Sequence, residues 1–262
     1  MPDASLEEVR AFWEHNPVAA ASVPYSPGSS EFFEHYDRLR ETRESVPFSY
    51  ALHEYRAFAG KRVLDVGCGN GYVLSRYARE GANTVGIDLT ATAIELSRRR
   101  FALEALPGAF LTGSAEELPF PTESFDCVCS MGVLHHTPDT EKAVGEIHRV
   151  LRPGGRFIVM LYHRHSAVYR RLQLRSRLSH RPLEALINEV DGVGNPKGEV
   201  YSRREMRRLL ADFDDVECRV GFLQGLPIGK HRRRFPPKPL LRPFASRWGW
   251  FLYAKARKPH SA

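Results

Sequence analysis

The stretch VLDVGCGNGY, residues Val63–Tyr72, and the stretch VGIDL, residues Val85–Leu89, decide the fold of this chain. The first is an apolar run that leads into glycines at alternate positions, Gly67, Gly69 and Gly71. Glycine permits positive φ and lets a ligand approach the bare backbone, so the pattern predicts a buried strand entering a tight turn. The second run ends at Asp88, and a carboxylate at a strand end can accept the hydroxyls of a ribose. Together the two stretches predict a nucleoside-binding half-site.

The spacing of the glycines distinguishes two kinds of nucleoside site. A dinucleotide fingerprint needs G-x-G-x-x-G, so that a pyrophosphate can lie on a helix N-terminus. The last glycine of that pattern would fall at Tyr72. The pattern here is G-x-G-x-G, with Asp65 two residues before the first glycine. It resembles the first motif of the class I S-adenosylmethionine-dependent methyltransferases, whose ligand carries no phosphate.

Later segments also resemble that family, in the same order and at the usual spacing. They are Gly113–Asp139, Glu146–Leu161 and the closing strand Trp250–Pro259. The resemblance is close over Lys61–Leu161 and covers the rest in outline. It implies S-adenosyl-L-methionine as the cofactor and an α/β fold, a seven-stranded Rossmann-like sheet with helices on both faces. The alternative is a degenerate Rossmann-like fold that has lost its ligand.

The resemblance also implies which residues hold the cofactor. Asp65 and the glycine turn hold its amino-acid part, Asp88 takes the ribose hydroxyls and Leu89 lines the adenine. The family commonly has Asp where this chain has Ser114, so Glu116 is the alternative partner of the adenine amino group. The expected cofactor residues are Asp65, Gly67, Cys68, Gly69, Asn70, Gly71, Asp88, Leu89, Ser114, Ala115, Glu116, Ser130 and Met131.

Hydrophobic runs predict the order of strands and helices. Five strands are expected in the middle of the chain, Arg62–Val66, Asn83–Asp88, Ala109–Thr112, Phe125–Met131 and Gly155–Leu161. Helices follow the first, second and fourth, as parallel βαβ units require. Further elements complete the sheet: a helix Arg203–Phe213 capped by Ser202, a strand Val216–Phe222 and a last, antiparallel strand Trp250–Lys255. Because ligands of such sheets bind beyond the carboxyl ends of the strands, we expect the candidate residues to converge on one edge.

The chain divides into a cap and a catalytic domain. Residues 1–60 are predicted to form an N-terminal helical cap, in which Ser5 and Glu8 have capping-box spacing. A break at Ser22–Ser30 precedes a second helix that ends before Pro47. The methyltransferase domain is expected over residues 61–262.

Two insertions are expected within that domain. Residues 163–200 follow strand five, beside the methyl donor, and are expected to act as a substrate lid. Residues 223–249 form a basic loop, whose prolines forbid a regular helix and favour an irregular path. The readings of this loop are a solvated surface, a grip on an anionic small substrate and a nucleic-acid footprint.

Candidate catalytic residues lie on the same predicted edge. Methyl transfer from a sulfonium is an in-line displacement, in which the protein aligns the groups and excludes water. A general base helps where the acceptor loses a proton, and histidine suits that role because its unperturbed pKa is near neutrality. We therefore select His136 and His163 as bases and Tyr162 as an orienting hydroxyl, with Tyr36 and His135 as substrate contacts. The alternative for the histidine pair is a local role in capping the turn of L-H-H-T-P.

Charge is distributed unevenly along the chain. Residues 1–162 contain 16 Lys/Arg against 22 Asp/Glu, and residues 163–262 contain 22 against 9. Such asymmetry can indicate an anionic partner. The four cysteines form no C-x-x-C pair, so neither a zinc site nor a disulfide framework is predicted. We predict no metal site.

The sequence also bears on location. No apolar stretch approaches the roughly 20 residues needed to span a bilayer. The N-terminus, MPDASLEEVRAFW, has acids where a secretory signal would need a basic and then an apolar run, so we expect a cytoplasmic protein.

The absence of two known motifs reduces the classes of methyl acceptor that the sequence supports. Amino-methylating enzymes of nucleic acids carry an Asn/Asp-Pro-Pro-aromatic run after the fourth strand, and metal-dependent O-methyltransferases need an acidic cluster there. This chain reads SMGV, starting at Ser130. We expect a small-molecule acceptor, anionic or aromatic. The alternatives are an RNA methyltransferase that uses the basic C-terminal surface and a non-catalytic protein that binds the cofactor; the oligomeric state stays open.

Overall fold

The computed structural model describes residues 4–17, 23–228 and 233–260. Its strands are β1 (Arg62–Val66), β2 (Asn83–Asp88), β3 (Ala109–Thr112), β4 (Phe125–Met131), β5 (Leu151–His163), β6 (Val200–Tyr201), β7 (Asp214–Gly221), β8 (Leu226–Ile228), β9 (Arg233–Phe235) and β10 (Phe251–Arg257). Its helices are α1 (Leu6–His15), α2 (Ser30–Arg43), α3 (Val46–His53), α4 (Tyr72–Arg79), α5 (Ala91–Leu103), α6 (Thr140–Val150), α7 (Ala167–Ser179), α8 (Leu183–Asn188), α9 (Arg203–Leu209), α10 (Lys238–Leu241) and α11 (Ala245–Trp248). Short 3-10 helices lie at Tyr55–Phe58, Leu134–His136 and Arg242–Phe244.

The main sheet has the strand order β3-β2-β1-β4-β5-β10-β7. Strands β1 to β5 pair in parallel, and β10 runs antiparallel to both of its neighbours. The predicted seven-stranded Rossmann-like sheet is confirmed, and the short β6 adds an eighth strand beside the end of β5. The strand order reverses at β1, so the crevice beyond the carboxyl ends of β1 and β4 is the expected ligand position.

Both faces of the sheet are packed against apolar side chains. Along β4, Cys127 and Cys129 point into one buried cluster and Val128 into the other, as the two-residue period of a strand requires. The four strands β1 to β4 begin and end where the sequence predicted. Their bounds were predictable because each is a short apolar run ended by Gly, Asp or Pro.

A buried arginine fixes α2 to the glycine turn. Arg100, on α5, is fully buried and donates to both carboxylate oxygens of Asp37 on α2, at 2.8 and 3.1 Å. Its Nε also donates to the carbonyl of Asn70, at 2.8 Å, and its guanidinium lies over the ring of Phe33, 4.5 Å from the centroid. Helix α2 and the turn after β1 therefore share one cationic anchor.

The structure differs from the sequence prediction near Pro47. The second helix ends before this proline, as predicted, but Pro47 lies in the first turn of another helix, α3. Proline is tolerated there because the first backbone N–H groups of a helix have no intrahelical partner. Because proline is compatible with both a helix end and a helix start, the predicted end of the second helix did not reveal α3.

Strand β5 is also longer than predicted. It begins at Leu151 rather than at Gly155. The pairing with β4 shifts register between Phe125 and Cys127, so the Pro-Gly-Gly segment forms an irregularity within the strand rather than a turn before it.

The basic segment is more ordered than the expected irregular loop. Its described residues form the β8–β9 hairpin and the short helices α10 and α11. Its prolines do prevent one continuous helix, but they are compatible with single turns. Residues 229–232 of the basic loop and residues 18–22, which include the start of the predicted Ser22–Ser30 break, lie outside the described residues.

The anchor of α2 predicts a strong effect on stability. Asp37→Ala leaves the buried guanidinium of Arg100 without its bidentate partner, and we expect a loss of about 3 kcal/mol in the free energy of unfolding. Chemical denaturation of both proteins measures this loss. The matched control is Glu34→Ala on the same helix, since Glu34 pairs with Arg38 in an exposed bridge. Equal stability of the two variants would show that Arg100 is not an anchor.

Candidate cofactor and methyl-transfer site

A cavity lies beyond the carboxyl ends of β1 and β4. The loops after β1, β2, β3 and β4 form its floor, and α1 and α2 cover it. Twelve of the residues expected from the sequence line it, namely Tyr36, Asp65, Gly67, Cys68, Gly69, Asn70, Asp88, Leu89, Ser114, Ala115, Met131 and His136. Segments far apart in the sequence therefore converge on one chamber.

The glycine turn brings backbone to the cavity wall. Gly67 has φ of +75°, and a side chain there would collide with Val133 from the loop after β4. Glycine satisfies both demands, since it adopts positive φ without strain and leaves room for close approach. The buried amide Nδ2 of Asn70 has no hydrogen-bond partner among the described residues, so it is a donor available to a ligand.

Asp88 joins the ends of β1 and β2. Its Oδ2 accepts the backbone N–H of Gly69 at 3.0 Å, and its Oδ1 accepts both the N–H and the hydroxyl of Thr90, at 3.0 and 2.9 Å. Burial raises the pKa of this carboxyl, against the opposing effect of those hydrogen bonds. A carboxylate has about four acceptor positions, so it retains capacity for a ribose hydroxyl.

Asp65 and Arg40 give the other end of the cavity opposite charges. Burial raises the pKa of Asp65 to about 7, although a hydrogen bond with Cys129 and the charge of Arg40 oppose the shift. Burial disfavours the charge of Arg40, but Glu44 raises its pKa above the ordinary value. Nη2 of Arg40 lies 2.9 Å from Glu44 but makes no hydrogen bond of satisfactory geometry. An acidic and a basic group on one cavity wall suit the ammonium and the carboxylate of an amino acid.

Helix α1 closes the cavity from above. Leu6, Val9 and Trp13 lie on the wall. Glu14 of the same helix accepts the backbone N–H groups of Ala91 and Thr92, both at 3.0 Å, and the Thr92 hydroxyl. Because these donors are at the N-terminus of α5, a carboxylate is favoured there by the helix dipole as well. Glu14 thus holds helix α1 beside the residues that follow Asp88.

His136 lies on the wall, but its nitrogens face away from the cavity. Nδ1 is 2.7 Å from the carbonyl of Lys197, so Nδ1 carries the proton and donates it. Nε2 is buried and lies 3.5 Å from Oδ2 of Asp191, whose Oδ1 accepts the hydroxyl of Tyr162 at 2.6 Å. Both Lys197 and Asp191 belong to the insertion after β5, which therefore orients this ring.

The remaining predicted residues lie behind the wall. The hydroxyl of Ser130 donates to the carbonyl of Val66, and Glu116 accepts the backbone N–H of Asp139. Gly71 is the N-cap of α4. These residues support the loops and do not line the cavity.

The other predicted catalytic and substrate residues are also enclosed. His135 is fully buried between the rings of His136 and Tyr162, and burial lowers its pKa well below the ordinary value. Tyr162 stacks on Trp250 and is occupied with Asp191. Nδ1 of His163 lies 3.1 Å from the carbonyl of Gly249. None of the three lies on the described cavity wall.

Sequence reasoning missed several residues of the site. Arg40 was detectable, because it follows Tyr36 by four residues on the same helical face. Trp13 and Glu14 gave no local signal, since their partners lie about 80 residues away or more. Asp191 gave none either, because its partner His136 lies on another element.

The described residues contain neither a candidate metal cluster nor a membrane-spanning helix. Among the described residues, no group of three or more His, Cys, Asp or Glu side chains could hold a metal ion. In the same part of the chain, no helix combines the length and the apolar character needed to cross a membrane.

Comparison with known proteins supports the resemblance over part of the chain. Residues 64–159 match a family model described as a methyltransferase domain. This match contains the glycine turn, Asp88 and the sheet edge described above. The resemblance to the class I S-adenosylmethionine-dependent methyltransferases that was noted in the sequence is thereby confirmed over residues 64–159.

Named relatives share the core of the chain. A fatty-acid O-methyltransferase of Mycolicibacterium smegmatis is 43% identical over 126 residues, which are 46% of this chain and 45% of the relative. A phthiotriol/phenolphthiotriol dimycocerosates methyltransferase of Mycobacterium ulcerans is 43% identical over 115 residues, 43% of this chain and 42% of the relative. The chain thus spans less than half the length of these curated relatives.

A solved structure supports the fold over a longer stretch. A SAM-dependent methyltransferase from Methanosarcina mazei superimposes with a TM-score of 0.59 and 21% identity. The match covers 80% of this chain and 98% of that one. At this identity the comparison shows the fold.

The strand-end carboxylate predicts a loss of cofactor affinity. We expect Asp88→Ala to weaken S-adenosyl-L-methionine binding by about 1.5–3 kcal/mol, the range for charge-assisted hydrogen bonds. Calorimetric titration measures this change, and the melting temperature checks that the fold is kept. Asp126→Ala is the matched control, because Asp126 also accepts a backbone N–H but lies at the opposite end of β4. Unchanged affinity in Asp88→Ala would remove this residue from the site.

Protonation of Asp65 predicts a pH dependence of binding. With a pKa of about 7, the carboxyl is protonated below neutrality, and pairing with an ammonium requires the ionised form. Affinity for the cofactor should therefore fall as the pH drops below about 7, by up to about tenfold per pH unit, with a proton released on binding. Titration calorimetry in two buffers of different ionisation enthalpy counts that proton. Proton release that persists in Asp65→Asn would contradict the assignment.

Proposed function

We propose that this chain is a methyltransferase that transfers the methyl group of S-adenosyl-L-methionine to the carboxylate of a small lipid-like acid. The observation that carries the proposal is the cavity whose wall combines Asp65, Arg40 and Asp88 with the glycine turn. When bound, the cofactor supplies a methyl group already activated by a sulfonium. The protein's task is then to bind, align and exclude water.

Different charged residues bind different parts of the cofactor. We infer that Asp65 and Arg40 hold the ammonium and the carboxylate of its amino-acid part, while Asp88 holds the ribose. The Asn70 amide fits such a ligand, because its Nδ2 is a buried donor without an acceptor among the described residues.

An acceptor that arrives ionised fits the remainder of the wall. The titratable groups there are Asp65, Asp88, Arg40, His136, Cys68 and two tyrosines, Tyr36 and Tyr72. Burial raises the pKa of the Cys68 thiol well above its ordinary value. Both nitrogens of His136 are turned towards the insertion. Burial raises the pKa of Tyr72 to about 12. Its hydroxyl therefore stays protonated at neutral pH and is not available to accept a proton from the acceptor. A carboxylate is already ionised at neutral pH and needs no proton removed.

The apolar roof fits a lipid-like acceptor. Leu6, Val9 and Trp13 of α1 face Met131, the last residue of β4, and Val133 of the following loop across the cavity. Such side chains can bury an alkyl chain and keep water from the sulfonium. The names of both relatives, a fatty-acid methyltransferase and a phthiotriol dimycocerosates methyltransferase, agree with this character. Residues 163–200 do not line the described cavity, but Lys197 and Asp191 hold His136 on its wall, which supports a lid role for this insertion beside the substrate pocket.

Transfer of labelled methyl groups tests the proposal. The protein is incubated with labelled S-adenosyl-L-methionine and a chain-length series of fatty acids, with the matched fatty alcohols and bulk RNA as alternative acceptors. Asp65→Asn serves as the variant impaired in cofactor binding. Alkali-labile label in the acid series supports the proposal. Label in the alcohols or in RNA overturns the proposal that the acceptor is a carboxylic acid. Intact cofactor binding without label in any fraction favours a non-catalytic protein.

Catalysis without a base predicts a flat pH profile. At saturating cofactor and acceptor, we expect kcat to vary little between about pH 6 and 9, because no group must lose a proton. His136→Gln should keep kcat within about threefold, since the amide can still donate to Lys197. A limb that rises near the pKa of histidine, together with a loss of about 10²- to 10⁴-fold in His136→Gln, would instead make this residue a general base.

A further inference from the structure

Helix α7 has one buried and one exposed face. It follows β5, so it starts at the edge of the sheet that carries the cavity. Leu172 is buried, and Val168 and Tyr169 pack against the same core. These side chains hold the inner face of the helix against the protein, which leaves the opposite face directed outwards.

Leucines form the centre of the outer face. Leu174 is 57% exposed and Leu178 is 74% exposed, one helical turn apart. With 100° per residue, Arg170 and Arg177 fall on one side of this pair, and Arg171 and Arg175 fall on the other. All four arginines are exposed. An apolar stripe between two basic rows results.

The helix that carries the basic rows contains no acidic residue, and the carboxylate that Arg175 influences, Glu189, is paired with Arg181. No Asp or Glu occurs from Arg164 to Leu183. None of the four arginines of the outer face forms an ion pair within the described part of the chain, whereas Arg164 and Arg181 at the ends of the segment pair with Glu205 and Glu189. The charge of the outer face is therefore available to an external anion.

The apolar stripe and the basic rows together indicate which kind of partner this face of α7 would bind. A helix with an apolar stripe and flanking arginines suits the surface of an anionic bilayer, where leucines enter the acyl boundary and cations meet the headgroups. A nucleic acid would engage the arginines through its phosphates but leave the leucines without apolar contacts. A second copy packed through the same face would place arginine rows against each other.

We propose that the outer face of α7, defined by Arg170, Arg171, Leu174, Arg175, Arg177 and Leu178, docks the protein on anionic lipid membranes. The helix would lie in the plane of the interface, without crossing it. This docking goes beyond methyl transfer and does not depend on the identity of the acceptor. It would bring the cavity edge of the sheet close to lipid.

Co-sedimentation with vesicles tests the docking surface. The full chain is mixed with vesicles of phosphatidylcholine alone or with added phosphatidylglycerol, at low and high salt. The apolar stripe is changed by Leu174→Ser with Leu178→Ser, and a basic row by Arg171→Gln with Arg175→Gln. Matched controls are Leu103→Ser, at an exposed leucine that ends α5, and Arg207→Gln with Arg208→Gln on α9.

We expect binding to the anionic vesicles that weakens with salt. Each double variant of α7 should lose roughly tenfold or more in partitioning, and the controls should stay within about twofold. No binding of the unaltered chain, or equal losses in the controls, would overturn the proposal. Unchanged vesicle binding after the leucine changes would also overturn it, and so would a dimer that those changes dissociate in sedimentation. Methyl transfer to a short, soluble acceptor should be unchanged in the leucine variant, which separates this test from that of the proposed function.

Discussion

The buried guanidinium of Arg100 is the interaction on which the cavity depends. It connects α5, the Asn70 carbonyl of the glycine turn and Asp37 of α2 in one place. A buried charge is costly unless its partners satisfy it, so these elements can hardly move apart without exposing or orphaning it. Because Tyr36 and Arg40 belong to the same helix as Asp37, this anchor also sets where they meet the cavity wall.

Further polar contacts extend the same construction to the roof and the side. Glu14 binds the roof helix α1 to the start of α5. Lys197 and Asp191 bind the insertion after β5 to the ring of His136, and Trp13 packs edge-on against that ring. A few directed contacts thus hold helix α1 and the insertion after β5 against the edge of the sheet that carries the cavity.

Much of this architecture could be predicted from local patterns. Strands β1 to β4 were assigned correctly because each is a short apolar run with a clear terminator, and Asp65 and Asp88 lie where the strand ends placed them. Pro47 follows the end of the second helix, as predicted, but also lies in the first turn of α3, and strand β5 begins at Leu151 rather than at the predicted Gly155. In both cases proline or glycine permits several conformations, and pairing with distant residues selects one.

The sequence by itself determined the sheet, the glycine turn and the carboxylates beside it, because periodicity and turn chemistry act over a few residues. Only the tertiary structure decided which way the polar atoms point. His136 is on the wall, yet Lys197 and Asp191 turn its nitrogens outwards, and Arg40 gains its role from the distant Asp65. Those partners are separated by 25 or more positions along the chain. Their contacts follow from packing of whole elements, which no local pattern encodes.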